Sequence, residues 1–539
     1  MPYDVSMETH GNSLRFAAAL IAAMTAALQA APSDQVHLAS GVVEGTTGKN
    51  SSVRAFLGIP YAAAAVGDLR WKAPQPVPAW TGVHKADHFG AHCVQADIYG
   101  DIIFKDAGMS EDCLNLNVWT PAKSAHDRLA VMVWIYGGGF QAGATSEPRQ
   151  NGEVLAGKGV VVVSMNYRLG IFGFYSHPEL TKESGHNASG NYGLLDQLEA
   201  LRWVQKNIAA FGGDPGKVTI FGESAGSFSV SALIASPLAH GLFARAIGES
   251  GAFFGDTLSA KTLAQSEENG AKFATSEKAV TLADMRAIPA ENLLKAARAG
   301  GDDYRFGPNI DGYFLPASAS EIYAAGKQSH VPLLAGWNAD EGSYEVVMSK
   351  GFTAEKFKAK IKEKFPKDDT DVAKLYASGS DEEALRSAED LAGDQFIAFS
   401  TWKWIEMQRQ TGGGKVYRYL FSRVRPAKPD VKFGGIPVGR FGAVHASEIE
   451  YVFGALDSNK DYAWDPADYK LSELMQTYWS NFAKTGDPNR AGLPKWPQND
   501  SQDGYAVMHL DVEAHSAPEV HRDRYEFLDR YYARPTKQD

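Results

Sequence analysis

The apolar positions of this chain recur in two patterns. Continuous, largely β-branched runs occupy residues 131–136 (VMVWIY), 160–165 (VVVVSM) and 218–221 (VTIF). Such runs predict strands buried on both faces, as in a parallel sheet covered by helices. Between the last two, Leu194, Leu195, Leu198, Leu201, Val204 and Ile208 fall at helical spacing, which predicts a helix within 193–211. Strand, crossover helix and strand in succession indicate an α/β fold with a mostly parallel sheet. The charged stretches 259–305 and 350–400 read as helical insertions beside that sheet, with mostly solvated faces. No repeat at a period of roughly 20–50 residues is visible, which argues against a solenoid or propeller.

Composition narrows the picture. The chain has 539 residues, 44% apolar, 22% charged and 11% aromatic, which is too apolar for a disordered protein and enough for a large core. Length alone suggests three or four domains at about 150 residues each. A net charge of −11 argues against nucleic-acid binding, which needs a basic face. Two cysteines are too few for a disulfide scaffold or a four-cysteine zinc site. Nothing in the sequence suggests a metal or organic cofactor.

The N-terminus reads as an export leader. Arg15 precedes the apolar run 16–28 (FAAALIAAMTAAL), and small residues follow around Ala30. A basic flank, a run of about 7–15 apolar residues and a small-residue exit describe a secretory signal peptide, here residues 1–30. The run is shorter than the roughly 20 residues of a membrane span, and no later stretch reaches that length. The mature chain is therefore expected to be secreted or periplasmic, without stable membrane insertion. In an oxidising compartment Cys93 and Cys113 can close a disulfide. Three sequons, at Asn50, Asn187 and Asn499, allow glycosylation only in a eukaryotic host.

The most informative pentapeptide is Gly222-Glu223-Ser224-Ala225-Gly226. It follows a predicted strand and precedes a predicted helix over 225–235. In that context a GxSxG turn exposes its serine at a strained apex, with the helix N-terminus aimed at the same place. A serine alcohol needs a neighbouring base, and attack on a carbonyl needs donors for the oxyanion. The Gly137-Gly138-Gly139 turn at the end of another strand offers N–H groups at little steric cost. Gly138, Gly139 and Ala225 would make three donors. The chain order on such a fold is Ser, then Asp or Glu, then His. Six histidines follow Ser224, and spacing alone does not choose among them. His445 precedes the apolar stretch 449–453, and Asp340-Glu341 follows the apolar run 331–334.

Ordered motifs then bring in a resemblance. FLGIPYA (56–62), LRW (69–71), EDCLNLNVW (111–119), WIYGGGF (134–140) and NYRLGIFGF (166–174) lie in the first part of the chain. GNYGLLDQ (190–197), FGGDP (211–215), FGESAGS (221–227), NADEG (338–342), HASEIEYVFG (445–454) and FAKTGDPN (482–489) follow. With these the chain resembles the type-B carboxylesterases, which include bacterial para-nitrobenzyl-type esterases, animal carboxylesterases and cholinesterases. The resemblance implies an α/β-hydrolase fold with helices on both faces of the sheet and helical cap insertions, formed by one domain over 31–539. It implies Ser224 as nucleophile, Glu341 as acid, His445 as base, and Gly138, Gly139 and Ala225 as oxyanion hole. Cys93–Cys113 matches the family's first disulfide. The implied partner is a small-molecule ester.

Other functions can be weighed against the same residues. Some relatives lack the nucleophile and serve in adhesion, whereas Ser224, Glu341 and His445 are all present here. Choline recognition in the cholinesterase branch relies on a tryptophan in the first disulfide loop. Here that loop holds Tyr99 and Phe104 and no tryptophan. Lipase-like action stays open, as does action on polyketide-toxin esters such as fumonisins, whose acyl arms carry carboxylates. Lys432 and Arg440 are candidate partners for such a carboxylate, weighed against a plain role as solvated surface charges.

Overall fold

In the computed structural model, which describes residues 34–49 and 52–534, eleven strands join in one sheet. In chain order they are β1 (Thr46–Thr47), β2 (Arg54–Pro60), β3 (Asn115–Thr120), β4 (Leu129–Ile135), β5 (Val161–Met165) and β6 (Gly213–Glu223). They continue with β7 (Arg245–Glu249), β8 (Leu333–Asn338), β9 (Val416–Phe421), β10 (Val507–Leu510) and β11 (His515–Ala517). Across the sheet the order is β11-β10-β9-β8-β7-β6-β4-β5-β3-β2-β1. Every neighbouring pair from β10 to β5 is parallel, and antiparallel strands close both edges. The leader (1–30) and the Asn50 sequon lie outside the described residues.

The continuous apolar runs are explained by burial from both sides. All five residues of β5 are buried, as are six of the seven in β4. Five helices matter for the site: α1 (Tyr192–Asn207), α2 (Ala225–Ala235), α3 (Phe399–Thr411), α4 (Ile449–Phe453) and α5 (Pro466–Thr485). Side chains alternate across a strand, so Phe221 and Glu223 share one face of β6 and Ile220 and Gly222 the other. On the first face Trp134 and Phe221 pack on Phe453 of α4, and Trp479 of α5 donates to Glu249. On the opposite face Gly222 abuts Gly226 of α2, and Gly248 abuts Trp404 of α3. Helices thus cover both faces. Helix α2 is buried all round, which suits its run of small and apolar residues.

The charged insertions are helical, as expected. Leu263–Ser276, Leu282–Ala287 and Ala290–Ala299 occupy the first. Ala354–Lys364, Asp369–Leu375 and Asp381–Gly393 occupy the second, followed by a π-helical turn, Asp394–Ala398. That turn departs from the expected solvated surface: Asp394, Ile397 and Ala398 are buried, and the Phe396 ring reaches His445. The strand before Glu341 also runs later than its apolar core suggests, to Asn338, which brings the chain to the site. Among the described residues no helix is long and apolar enough to cross a membrane.

Candidate active site

The GxSxG turn is built by close contact between two glycines. A β-carbon at Gly226 would lie 1.9 Å from the Ile135 carbonyl oxygen, and one at Gly222 2.6 Å from the Gly226 carbonyl carbon. Any side chain would drive β4, β6 and α2 apart. Ser224 takes φ 53° and ψ −124°, a conformation that costs a non-glycine residue about 1–3 kcal/mol. It is held there by its N–H, which donates to the Glu249 carbonyl at 2.9 Å, and by its carbonyl, which receives the Phe228 N–H at 2.9 Å.

The glycine turn after β4 packs directly on this apex. Strands β4 and β6 are parallel neighbours with Ile135 opposite Gly222, so their ends emerge side by side. A β-carbon on Gly137 would lie 2.9 Å from the Ser224 β-carbon. Gly138 and Gly139 both have positive φ, 95° and 63°, and a β-carbon on Gly138 would sit 2.0 Å from the Ala142 carbonyl oxygen. Only glycine fits that bend. The N–H groups of Gly138 and Gly139 donate to no other group among the described residues. Ala225 opens α2, where first-turn N–H groups have no partner within the helix. The glycine turn, through Gly137, and the start of α2 both adjoin Ser224.

His445 reaches the serine from a loop stitched to the end of β8. The Asn338 amide donates to the Val444 carbonyl at 2.8 Å, the Asp340 N–H donates to the Ala443 carbonyl at 3.0 Å, and the Ala443 N–H donates to the Asp340 carboxylate at 2.8 Å. This sorts the two adjacent acids. Asp340 fastens the loop, and Glu341 faces the imidazole, with Glu341 Oε2 2.6 Å from His445 Nδ1. On the other side of the ring, Nε2 lies 2.8 Å from Ser224 Oγ. Glu341 Oε1 accepts from the Ser250 hydroxyl at 2.6 Å and from the Asn338 N–H at 2.9 Å. The Phe396 ring covers the imidazole, with centroids 5.1 Å apart.

Three buried glutamates, Glu223, Glu341 and Glu448, act on the imidazole, and a fourth, Glu249, neighbours Glu223 and Glu448. Glu223 Oε1 is 3.2 Å from His445 Nε2, and Glu448 accepts from the Asn338 amide at 2.6 Å. Burial, reinforced by neighbouring carboxylates, pushes Glu223, Glu249 and Glu448 well above the ordinary carboxyl range. Burial pulls the His445 imidazolium down, but the Glu223 and Glu341 carboxylates pull it up by more, so the net direction is upward.

Sequence reasoning passed over several of these groups. Glu223 was only the variable position of the pentapeptide, and Ser250, Phe396 and Glu448 lie 26, 172 and 224 residues after Ser224. Only Glu448, three residues after His445, had a local signal. Cys93 and Cys113 form a disulfide. Arg440 lies 3.3 Å from Glu389, and Lys432 is exposed on a two-residue strand. Asn499 is buried with its amide donating to the Ala506 carbonyl, so it offers no accessible sequon, whereas Asn187 is exposed.

A parallel sheet covered on both faces, with a strand–serine–helix turn meeting a histidine and an acid, defines an α/β-hydrolase. The chain belongs to the Carboxylesterase family, which it matches over residues 32–528. It is 37% identical over 472 residues to the fumonisin B1 esterase of Sphingopyxis macrogoltabida, covering 86% of this chain and 84% of that one. It is also 36% identical over 512 residues to carboxylesterase 1D of Rattus norvegicus, covering 86% of each. It is 35% identical over 503 residues to the liver carboxylesterase of Sus scrofa, again covering 86% of each. The protein is accordingly a carboxylic ester hydrolase.

Proposed function

We propose that the protein hydrolyses esters through an acyl-enzyme on Ser224, with His445 as general base and Glu341 as the orienting acid. Ser224 Oγ attacks the ester carbonyl carbon while its proton passes to His445 Nε2. The N–H groups of Gly138, Gly139 and Ala225 receive the oxyanion. Collapse breaks the bond to the alcohol, which leaves with the proton from Nε2. Water then gives a proton to Nε2 as it attacks the acyl carbon, and the acid departs as Ser224 regains its proton. Glu341 holds the Nδ1–H tautomer and offsets the imidazolium charge.

The observation that carries this reading is the bridge made by one imidazole, 2.8 Å from Ser224 on one nitrogen and 2.6 Å from Glu341 on the other. The test is covalent labelling. An organophosphate should add one adduct mass at Ser224 and abolish turnover, and Ser224→Ala should take up none. Full ester turnover by Ser224→Ala would overturn the proposal.

The reading extends to location and boundaries: residues 1–30 are an export leader and 31–539 one hydrolase domain acting outside the cytoplasm. The Cys93–Cys113 disulfide supports an oxidising destination. N-terminal sequencing of exported protein should start near residue 31, and a retained Met1 would overturn it. A second reading, hydrolysis of fumonisin B1, is favoured by the 37% identity to the fumonisin B1 esterase. Release of acid from fumonisin B1 by the wild type, and none by Ser224→Ala, is its test.

A further inference from the structure

Among the described residues, the Arg305 guanidinium at the glycine turn has no ion-pair partner. A β-carbon built on Gly139 would meet the Arg305 guanidinium, at Nη2, and the Tyr99 hydroxyl, each at 3.1 Å. Both groups therefore converge on the same face of the turn whose N–H groups flank Ser224. Arg305 is exposed and forms no ion pair among the described residues, although Asp302 and Asp303 precede it in the chain. The chain has eleven more acidic than basic residues, and many of its arginines, such as Arg168, Arg418 and Arg423, pair with carboxylates; Arg305 is set apart by where its guanidinium lies, against the glycine turn.

The segment that carries Arg305 is fixed to the site. The Gln141 amide, from the turn after Gly139, donates to the Phe306 carbonyl at 2.7 Å. Phe306 is buried against Tyr175 and Phe273. Asn309 is held by Asn191, Ser176 and Ser189. Tyr99 comes from the loop closed by Cys93–Cys113, so the second group is tethered too. Burial pushes the Tyr99 phenol up, and it stays a neutral donor at working pH.

We propose that Arg305, assisted by the Tyr99 hydroxyl, binds a carboxylate carried by the ester substrate close to its reacting carbonyl. A guanidinium presents paired N–H donors that match a carboxylate, and a charge-assisted hydrogen bond is about twice as strong as a neutral one. The preferred substrates are then anionic esters, although the overall acidity of the protein would repel them at long range. The proposal rests on the acyl-enzyme reading of Ser224 given above.

Three small esters test it: 4-nitrophenyl butyrate, 4-nitrophenyl hydrogen adipate with a carboxylate on the acyl side, and 4-butyryloxybenzoate with one on the alcohol side. The readout is the ratio of kcat/KM for each anionic ester to that for the neutral one. In Arg305→Gln this ratio should fall about tenfold or more for at least one anionic ester. Arg305→Lys should keep part of it, and Tyr99→Phe should lower it less. Ratios unchanged in Arg305→Gln for both anionic esters would overturn the proposal. Failure of the Ser224 reading would appear separately, as hydrolysis of the neutral ester by Ser224→Ala.

Discussion

The Ser250 hydroxyl donates to Glu341 Oε1 at 2.6 Å, the carboxylate oxygen that His445 does not use. Ser250 stands two residues after Gly248 at the end of β7, at φ 58°, with its N–H on the Gly336 carbonyl of β8. The backbone is therefore bent to present this hydroxyl. With the Asn338 N–H it fixes the plane of the carboxylate, so that Oε2 meets Nδ1.

On the proposed mechanism, removing that donor loosens the acid that orients the base. Ser250→Ala should lower kcat about tenfold, the loss of one hydrogen bond to a charged group, while KM for a neutral ester changes little. Circular dichroism should show the fold retained. An unchanged kcat would mean that the Asn338 N–H alone positions Glu341.

On the proposed mechanism, Glu223 should help set where the acid limb of the pH profile falls. The base must be neutral to accept the Ser224 proton, so activity is lost as pH drops through its pKa. Carboxylates at 3.2 Å and 2.6 Å raise the His445 pKa, and the limb should lie above the value of about 6.5 for a free histidine. Glu223→Gln removes one of the two charges and should move the limb of kcat/KM to lower pH. A limb that stays put in the variant would exclude the Glu223 charge as the cause.

Much of this site is legible in local sequence, and the reason is steric. The Gly222/Gly226 contact and the Gly138 bend tolerate no side chain, so they leave a readable pattern around Ser224 and the proposed oxyanion donors. The parallel core is legible for a similar reason, since strands buried on both faces must be apolar throughout. The acid is different. Asp340 and Glu341 are adjacent, chemically alike and both next to the His445 loop, and only the tertiary stitching assigns one to Ala443 and the other to the imidazole. Ser250, Phe396 and Arg305 are equally silent, because each meets the site through a crossing that spacing does not encode. Family resemblance supplied Glu341 and His445, and the geometry supplies the physical reason they fit.

The buried glutamates make a prediction about stability. Glu249 keeps one oxygen on the Trp479 N–H at 2.7 Å, while the other has no partner among the described residues. Its pKa is raised by burial, then by Glu448. Above about pH 4.3 the unfolded chain has released this proton and the folded chain still holds it, so the folded state binds more protons and stability falls as pH rises. The loss continues until the folded pKa is passed. Glu249→Gln keeps an oxygen for Trp479 and never ionises. The wild-type Tm should drop between pH 6 and pH 9, and the variant should drop less. Parallel curves would show that folded Glu249 has already released its proton by pH 6, and that burial does not raise its pKa.

The glycine contacts can be separated from mere proximity to the site by two substitutions. At Gly226 an added methyl would overlap the Ile135 carbonyl oxygen at 1.9 Å and approach the Tyr136 carbonyl oxygen at 3.0 Å. These are main-chain atoms at the end of β4 and of the residue after it, which lead into the proposed oxyanion turn, so the clash is relieved only by lifting α2 off β4. At Gly439, in the 3-10 turn that leads to His445, an added methyl would meet nothing within 4 Å, and the backbone is outside the left-handed region. Gly226→Ala should therefore cost more than about 4 kcal/mol in a urea melt or fail to give soluble protein, and any folded fraction should lack esterase activity. Gly439→Ala should stay within about 0.5 kcal/mol of the wild type. Equal effects at the two positions would mean that the tight meeting of β4, β6 and α2 is not what holds Ser224 at its apex.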